Sequence, residues 1–162
     1  MPVDITGKNI RLGISLTELY RELATYPVKG AYVFLDACFS GGYKSAAPLL
    51  AQKGVRVVPK VGLPQGKTLS FSSSSGDQTS SVYHDKKQGY YTYFLIKTIK
   101  DARGDLSMKD LFERTSAAVK KATAMIGKMQ EPQCMVSPTW FGWESLRLET
   151  PVEPAPVAPQ GE

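Results

Sequence analysis

The stretch AYVFLDACFSGG, residues 31–42, constrains this chain more than any other. Its first five residues are β-branched or aromatic for the most part and show no clean polar alternation, which predicts a strand covered on both faces. The run then passes directly into Asp36, Ala37 and Cys38, and after Phe39 and Ser40 into the pair Gly41 and Gly42. In α/β sheets reactive groups collect where strands end, because a rigid strand aims the residues after it into the crevice at its carboxyl edge. Cys38 stands at such an end. The glycines permit a sharp turn, the positive end of a following helical turn would favour the thiolate, and the backbone N–H of the cysteine is a candidate oxyanion donor. The plainer reading of the same residues is a buried structural thiol, the usual fate of a cysteine beside an apolar strand.

The rest of the chain supplies the elements around that strand. Ser15 and Glu18 stand in capping-box spacing, with Leu16, Leu19, Tyr20 and Leu23 on one stripe, which predicts a helix over 15–26. Residues 44–66 alternate short apolar pieces with Gly54, Pro59, Gly62, Pro64 and Gly66, a pattern expected of a long basic surface loop with a short helix near 46–52. KTLSFS, 67–72, reads as a second strand, followed by the polar stretch SSSGDQTSSVYHDKKQG. Helices are expected over 90–102 and over 107–126, the latter capped by Ser107, and a last strand over 133–137. Strand and helix alternating in this way predict an α/β fold with a central sheet. Residues 1–148 then form one domain, and TPVEPAPVAPQGE beyond Leu148 is a Pro-rich flexible tail.

Charge and cysteine content narrow the function classes. The net charge of +5 comes from lysines and arginines scattered among acidic residues, with no basic stripe and no nucleic-acid module, so no nucleic-acid partner is expected. No run approaches the roughly 18 apolar residues of a membrane span, and MPVDITGKNI lacks the apolar centre of a signal peptide. No membrane partner is expected, and the compartment predicted is cytoplasmic. Two distant cysteines make no disulfide framework, and no CxxC or His-rich spacing suggests zinc. Neither a metal nor a cofactor is expected. Calcium in particular wants several oxygen ligands, whereas the residues after the glycine pair are Lys44, Ser45 and small side chains.

DACFSGG at the end of an apolar strand resembles the nucleophile segment of the caspase-like cysteine peptidases, in their metacaspase and bacterial orthocaspase branch. The likeness continues in order along the chain. PVD at 2–4 with SLTELYREL is similar to what those proteins carry before the cysteine strand, and SSSSGDQTS at 72–80 resembles their stretch after the next strand. GYYTYFLIKTI and the segment Gln130, Glu131, Pro132, Gln133 resemble the helix and final strand of their small subunit. The resemblance implies a caspase-like three-layer sandwich with a central, mostly parallel sheet.

It also implies roles. Cys38 would be the nucleophile that attacks a peptide carbonyl. Asp36, two residues earlier and so on the same side of the strand, would line the pocket for the residue before the scissile bond and attract Arg or Lys. Asp77 is a second candidate for that pocket, and an Asx turn after Gly76 explains it equally well. Animal caspases carry an arginine for aspartate in the loop after the second strand, where this chain has Thr79, Ser80 and Ser81. A peptide or protein substrate with a basic residue before the cut is therefore expected. Cleavage within the basic loop 44–66 during maturation and an ordinary solvated loop are both open readings.

One part of the machinery is missing. The family's histidine lies about 50 residues before its cysteine, whereas only 37 residues precede Cys38 and none is histidine. His84, the sole histidine, sits in the polar stretch and reads as a solvated side chain more readily than as a substitute base. The expected partner is thus a missing N-terminal segment of the same domain, making this chain an N-terminally truncated, C-terminal portion that is inactive alone. The alternative is a catalytically silent caspase-fold module that binds partners. Cys134, in the last strand, is expected in the core.

Overall fold

The computed structural model describes residues 15–37, 62–75, 78 and 80–148. Helix α1, Leu16–Leu23, starts at Ser15, whose side chain accepts the Glu18 N–H. It buries one large side chain, Tyr20, whose hydroxyl donates to Ser70 Oγ at 2.9 Å. Strand β1, Ala31–Leu35, then pairs in parallel with β2, Thr68–Ser72, from Ala31 opposite Thr68 to Leu35 opposite Ser72.

Along β2 the residues alternate between two environments, as strand geometry requires. Leu69 and Phe71 enter an apolar cluster with Tyr91, Leu106, Met108, Leu111 and Val119. Ser70, one step between them, meets Tyr20 of α1 instead. All five residues of β2 are buried, because it is the central strand, with β1 on one side and β5, Gln133–Val136, on the other.

Between β2 and β5 the chain forms a small hairpin and two helices. Strands β3, Val82–Tyr83, and β4, Gln88–Gly89, flank a 3-10 turn at His84–Lys86 closed by Lys87 with φ of 54°. Helix α2, Tyr90–Asp101, and helix α3, Met108–Ala124, pack on each other over Phe71, with Phe112 5.1 Å from its ring. Ser107 caps α3 by accepting the Asp110 N–H at 3.1 Å, and its hydroxyl also holds the Asp110 carboxyl below the ordinary range. Trp140 packs 6.1 Å from Tyr32, and it leaves no room for a side chain at Gly30, where a Cβ would lie 2.7 Å from the indole.

The elements agree with the sequence reading; the sheet differs from it in two respects. Of the two pairings in the three-stranded sheet formed by the described residues, one is parallel and one antiparallel, so this part of the sheet is mixed. A single crossover helix would return the chain for a parallel strand. Here α2 runs away from the carboxyl edge and α3 runs back to it, so β5 starts at that edge, with Gln133 opposite Ser72. Nor is β1 covered on both faces: its burial alternates, with Tyr32 and Phe34 37% and 38% exposed while Leu69 and Phe71 beside them are 1%. The helices roof the central strand and reach β1 only in part. The short helix expected near 46–52 and the tail 149–162 lie outside the described residues.

Candidate active site

The carboxyl ends of β1 and β2 and the start of β5 meet at one edge of the sheet, at Leu35, Ser72 and Gln133. Asp36 and Ala37 are the first residues beyond that edge. Cys38, the expected nucleophile, and Asp77, the second pocket candidate, lie outside the described residues, as does Thr79.

Asp36 is exposed, yet its carboxylate is already engaged. Oδ2 accepts the Thr92 N–H at 3.2 Å and the Thr92 hydroxyl at 2.5 Å. The N-cap of α2 is Gly89, which has no side chain to satisfy the first-turn N–H groups. Asp36 supplies that cap from another element, at the third helical residue where a capping oxygen normally bonds and where the helix dipole favours an anion. The approach is close: a Cβ at residue 89 would lie 2.1 Å from Asp36 Oδ2, so a larger residue there would have to push the carboxylate aside. An ionised carboxylate offers about four acceptor sites, of which Thr92 takes two.

Ala37 is held through its carbonyl, which accepts from the hydroxyls of Ser73 and Ser80. Both serines belong to the loop after β2, and buried Gln130 secures that loop by donating to Ser73 O at 3.0 Å and accepting the Ser81 N–H at 2.8 Å. Of the residues that stand where animal caspases carry their arginine, Ser80 turns its hydroxyl to the Ala37 carbonyl, and Ser81 is held through its backbone, by Gln130 at its N–H and by the Tyr90 N–H at its carbonyl. Beside Gly89, Tyr90 stacks on Tyr83 at 4.4 Å, Tyr93 meets Tyr83 edge-on at 5.1 Å, and the Lys86 ammonium lies 5.7 Å from the Tyr93 ring. His84 is exposed on the hairpin turn.

Cys134 is half-buried in β5 opposite Phe71 and packs on the apolar cluster. Burial, with the Glu144 carboxylate as a lesser cause, pushes its thiol up to about 11. A thiol that is protonated at neutral pH is a poor nucleophile, so Cys134 fits the core role expected of it. Among the described residues no group of three His, Cys, Asp or Glu side chains is arranged to hold a metal, and no helix is long and apolar enough to cross a membrane.

Sequence reasoning picked out Asp36 and missed its surroundings. Thr92 lies 56 residues away, and nothing in its own segment marks it as a partner. The serines gave a faint signal, three in succession, Ser73 to Ser75, directly after the end of β2.

No curated protein and no solved structure matches the chain. The family model described as the Caspase domain matches residues 1–139, most of the 162. With β1 leading into Asp36 and Ala37 at the carboxyl edge of an α/β sheet, and helices packed on that sheet, the chain belongs to the caspase-domain family of cysteine peptidases.

Proposed function

We propose that the chain is the nucleophile-bearing portion of a caspase-like cysteine endopeptidase, of the metacaspase and orthocaspase branch, that cuts peptides after Arg or Lys. Cys38 is the nucleophile. The observation that carries this reading is the placement of Asp36: an exposed carboxylate at the carboxyl edge of the sheet, two residues before that cysteine, with acceptor capacity left after Thr92 is served. A guanidinium or ammonium is the complement of such a group, and Asp77 joins it in the same pocket. The complete domain is a three-layer sandwich, supported by Tyr20 meeting the Ser70 side of β2 while α2 and α3 cover the Phe71 side.

The general base comes from outside this chain, since no histidine precedes Cys38 and His84 is exposed on a hairpin. A preceding segment of the same domain would bring that histidine and further strands beside β1, covering Tyr32 and Phe34. Alone, the chain turns over no peptide. Its cysteine and pocket can still be tested by an irreversible probe that needs no leaving amine protonated. An arginyl chloromethyl ketone, whose chloride the thiolate displaces, should modify Cys38 and not Cys134, faster than its aspartyl analogue does, and Cys38→Ala should abolish the modification. Equal reaction with the two analogues would remove the basic preference; no selective reaction in a folded chain would favour the silent-module reading.

A further inference from the structure

The turn between α3 and β5 carries the most exposed methionines among the described residues. Met125 is 78% exposed, Ile126 47% and Met129 76%, and Ala124, Gly127 and Lys128 beside them are exposed as well. The backbone under these side chains is closed by hydrogen bonds: the Gly127 N–H donates to Ala124 O at 3.0 Å and the Lys128 N–H to Thr123 O at 2.9 Å, with Gly127 at φ of 68°. This is the pattern that ends a helix at a left-handed glycine, and the residue after that glycine commonly folds an apolar side chain back on the last helical turn. Lys128 occupies that place instead. The turn is thus closed by its backbone while Met125, Ile126 and Met129 stay outside. A Cβ at Gly127 would have no atom within 4 Å, so the crest of the turn stands clear of the other described elements.

One residue further on, the situation reverses. Gln130 is 1% exposed, donates to Ser73 O and accepts the Ser81 N–H, and the Glu131 N–H donates to Gln78 Oε1. The apolar crest is therefore mounted on the loop that lies at the carboxyl edge of the sheet, beside Asp36 and Ala37.

Its charge is of one sign. From Arg114 to Gln130 the sequence has no Asp or Glu and contains Arg114, Lys120, Lys121 and Lys128. Lys120 is drawn to Glu131 at 3.4 Å, and Lys121 and Lys128 make no ion pair among the described residues. Three side chains on a convex crest supply far less than the roughly 800 Å² per partner that a stable protein interface buries. A lipid surface needs no such area, since it takes up apolar side chains one by one and attracts lysines to its phosphates. We propose that the α3–β5 turn docks on an anionic lipid surface, with Met125, Ile126 and Met129 entering the acyl boundary and Lys121 and Lys128 meeting the phosphates. Because Gln130 ties this turn to the serine loop, the contact brings the carboxyl edge of the sheet to the lipid. The want of a spanning run, from which no membrane partner is expected, bears on crossing a bilayer and not on lying against one. The proposal does not depend on the peptidase reading.

Cosedimentation of the full chain with vesicles of phosphatidylcholine and phosphatidylserine, in a ratio of roughly three to one, tests it. The chain should bind these vesicles and bind phosphatidylcholine alone about tenfold more weakly. Lys128→Gln should weaken binding about fivefold, the worth of one lysine near an anionic surface. The double change Met125→Asp and Met129→Asp should weaken it at least tenfold while leaving the thermal melt in place, because both side chains are already in solvent. With spin-labelled lipid in the vesicles, the methyl signals of Met125 and Met129 should be attenuated and that of Met108, which is 0% exposed, should not. No binding by the wild type overturns the proposal. So does equal binding by the double variant, which would leave charge alone holding the chain, and so does a wild-type dimer that the double variant dissolves, which would make a second copy the occupant of the turn.

Discussion

The two flanks of β2 treat their chemistry-bearing residues in opposite ways. On the β5 side, Cys134 lies within the strand, opposite Phe71 and against the apolar cluster, where burial raises its thiol to about 11. On the β1 side, Asp36 and Ala37 lie just past the strand end and are held by polar groups from elsewhere, Thr92 for the first, Ser73 and Ser80 for the second. A position inside a strand is fixed by packing, and packing against apolar side chains disfavours the charged form of an acid. A position beyond the strand end is fixed by hydrogen bonds, which orient a group without removing it from solvent. One sheet thus offers an inert site and a usable one a few residues apart.

Labelling tests the contrast where the expected effect is largest. With its thiol near 11, Cys134 carries roughly one thiolate in three thousand at pH 7.5. Cys134→Ala should leave the modification by arginyl chloromethyl ketone intact and Cys38→Ala should abolish it, read by mass spectrometry of the digested chain; label on Cys134 in the folded wild type would break the contrast outright.

Next in size is Gln130→Ala, which unties the serine loop. Gln130 is 1% exposed and makes two bonds to backbone groups, and leaving such groups buried and unpaired costs about 3 kcal/mol in all. Urea unfolding should register that loss. A change below about 0.5 kcal/mol would mean water replaces the glutamine and the loop is not fastened as described.

Gly89→Ala sharpens the Asp36 side. The added methyl would overlap the carboxylate, at an expected cost of about 2 kcal/mol and a Tm lower by roughly 4–8 °C. Gly127→Ala is the control: with φ of +68° and nothing within 4 Å of its Cβ, it meets backbone strain only, about 1 kcal/mol. Equal losses would show that Asp36 does not crowd Gly89.

The smallest effect is alkaline. Unfolded, Cys134 ionises near its ordinary value of 9.0, and folded near 11. Between those values the unfolded chain releases a proton that the native chain keeps, so stability falls as pH rises through this window. Tyr91, also raised by burial and then by Asp36 and Cys134, extends the decline to higher pH. Cys134→Ala should flatten the slope between pH 9 and 11 in denaturant titrations; an unchanged slope would place that thiol in water.

Much of the fold is legible in residue order because the signals are local. Ser15 and Ser107 sit at the caps their spacing predicts, and the strands at 31–35, 68–72 and 133–136 fall within the short runs expected to be extended. The direction of β5 was not legible, since it depends on two helices rather than one separating it from β2, a count that periodicity supplies but that alternation of strand and helix conceals. The part-exposure of β1 was hidden for a similar reason: an apolar strand looks alike in sequence whether helices cover it fully or at one side.

Of the candidate site, the sequence by itself determined which residues follow the strand, the carboxylate at 36 and the thiol at 38, because composition and a seven-residue motif are properties of contiguous chain. Tertiary structure alone decided what holds Asp36 and the adjoining Ala37. Thr92 reaches Asp36 across 56 residues, and Ser73 and Ser80 reach Ala37 across 36 and 43. A hydrogen bond requires its partners within about 3.5 Å and aligned, and for residues so far apart along the chain only the folded sheet and its packed helices set that distance.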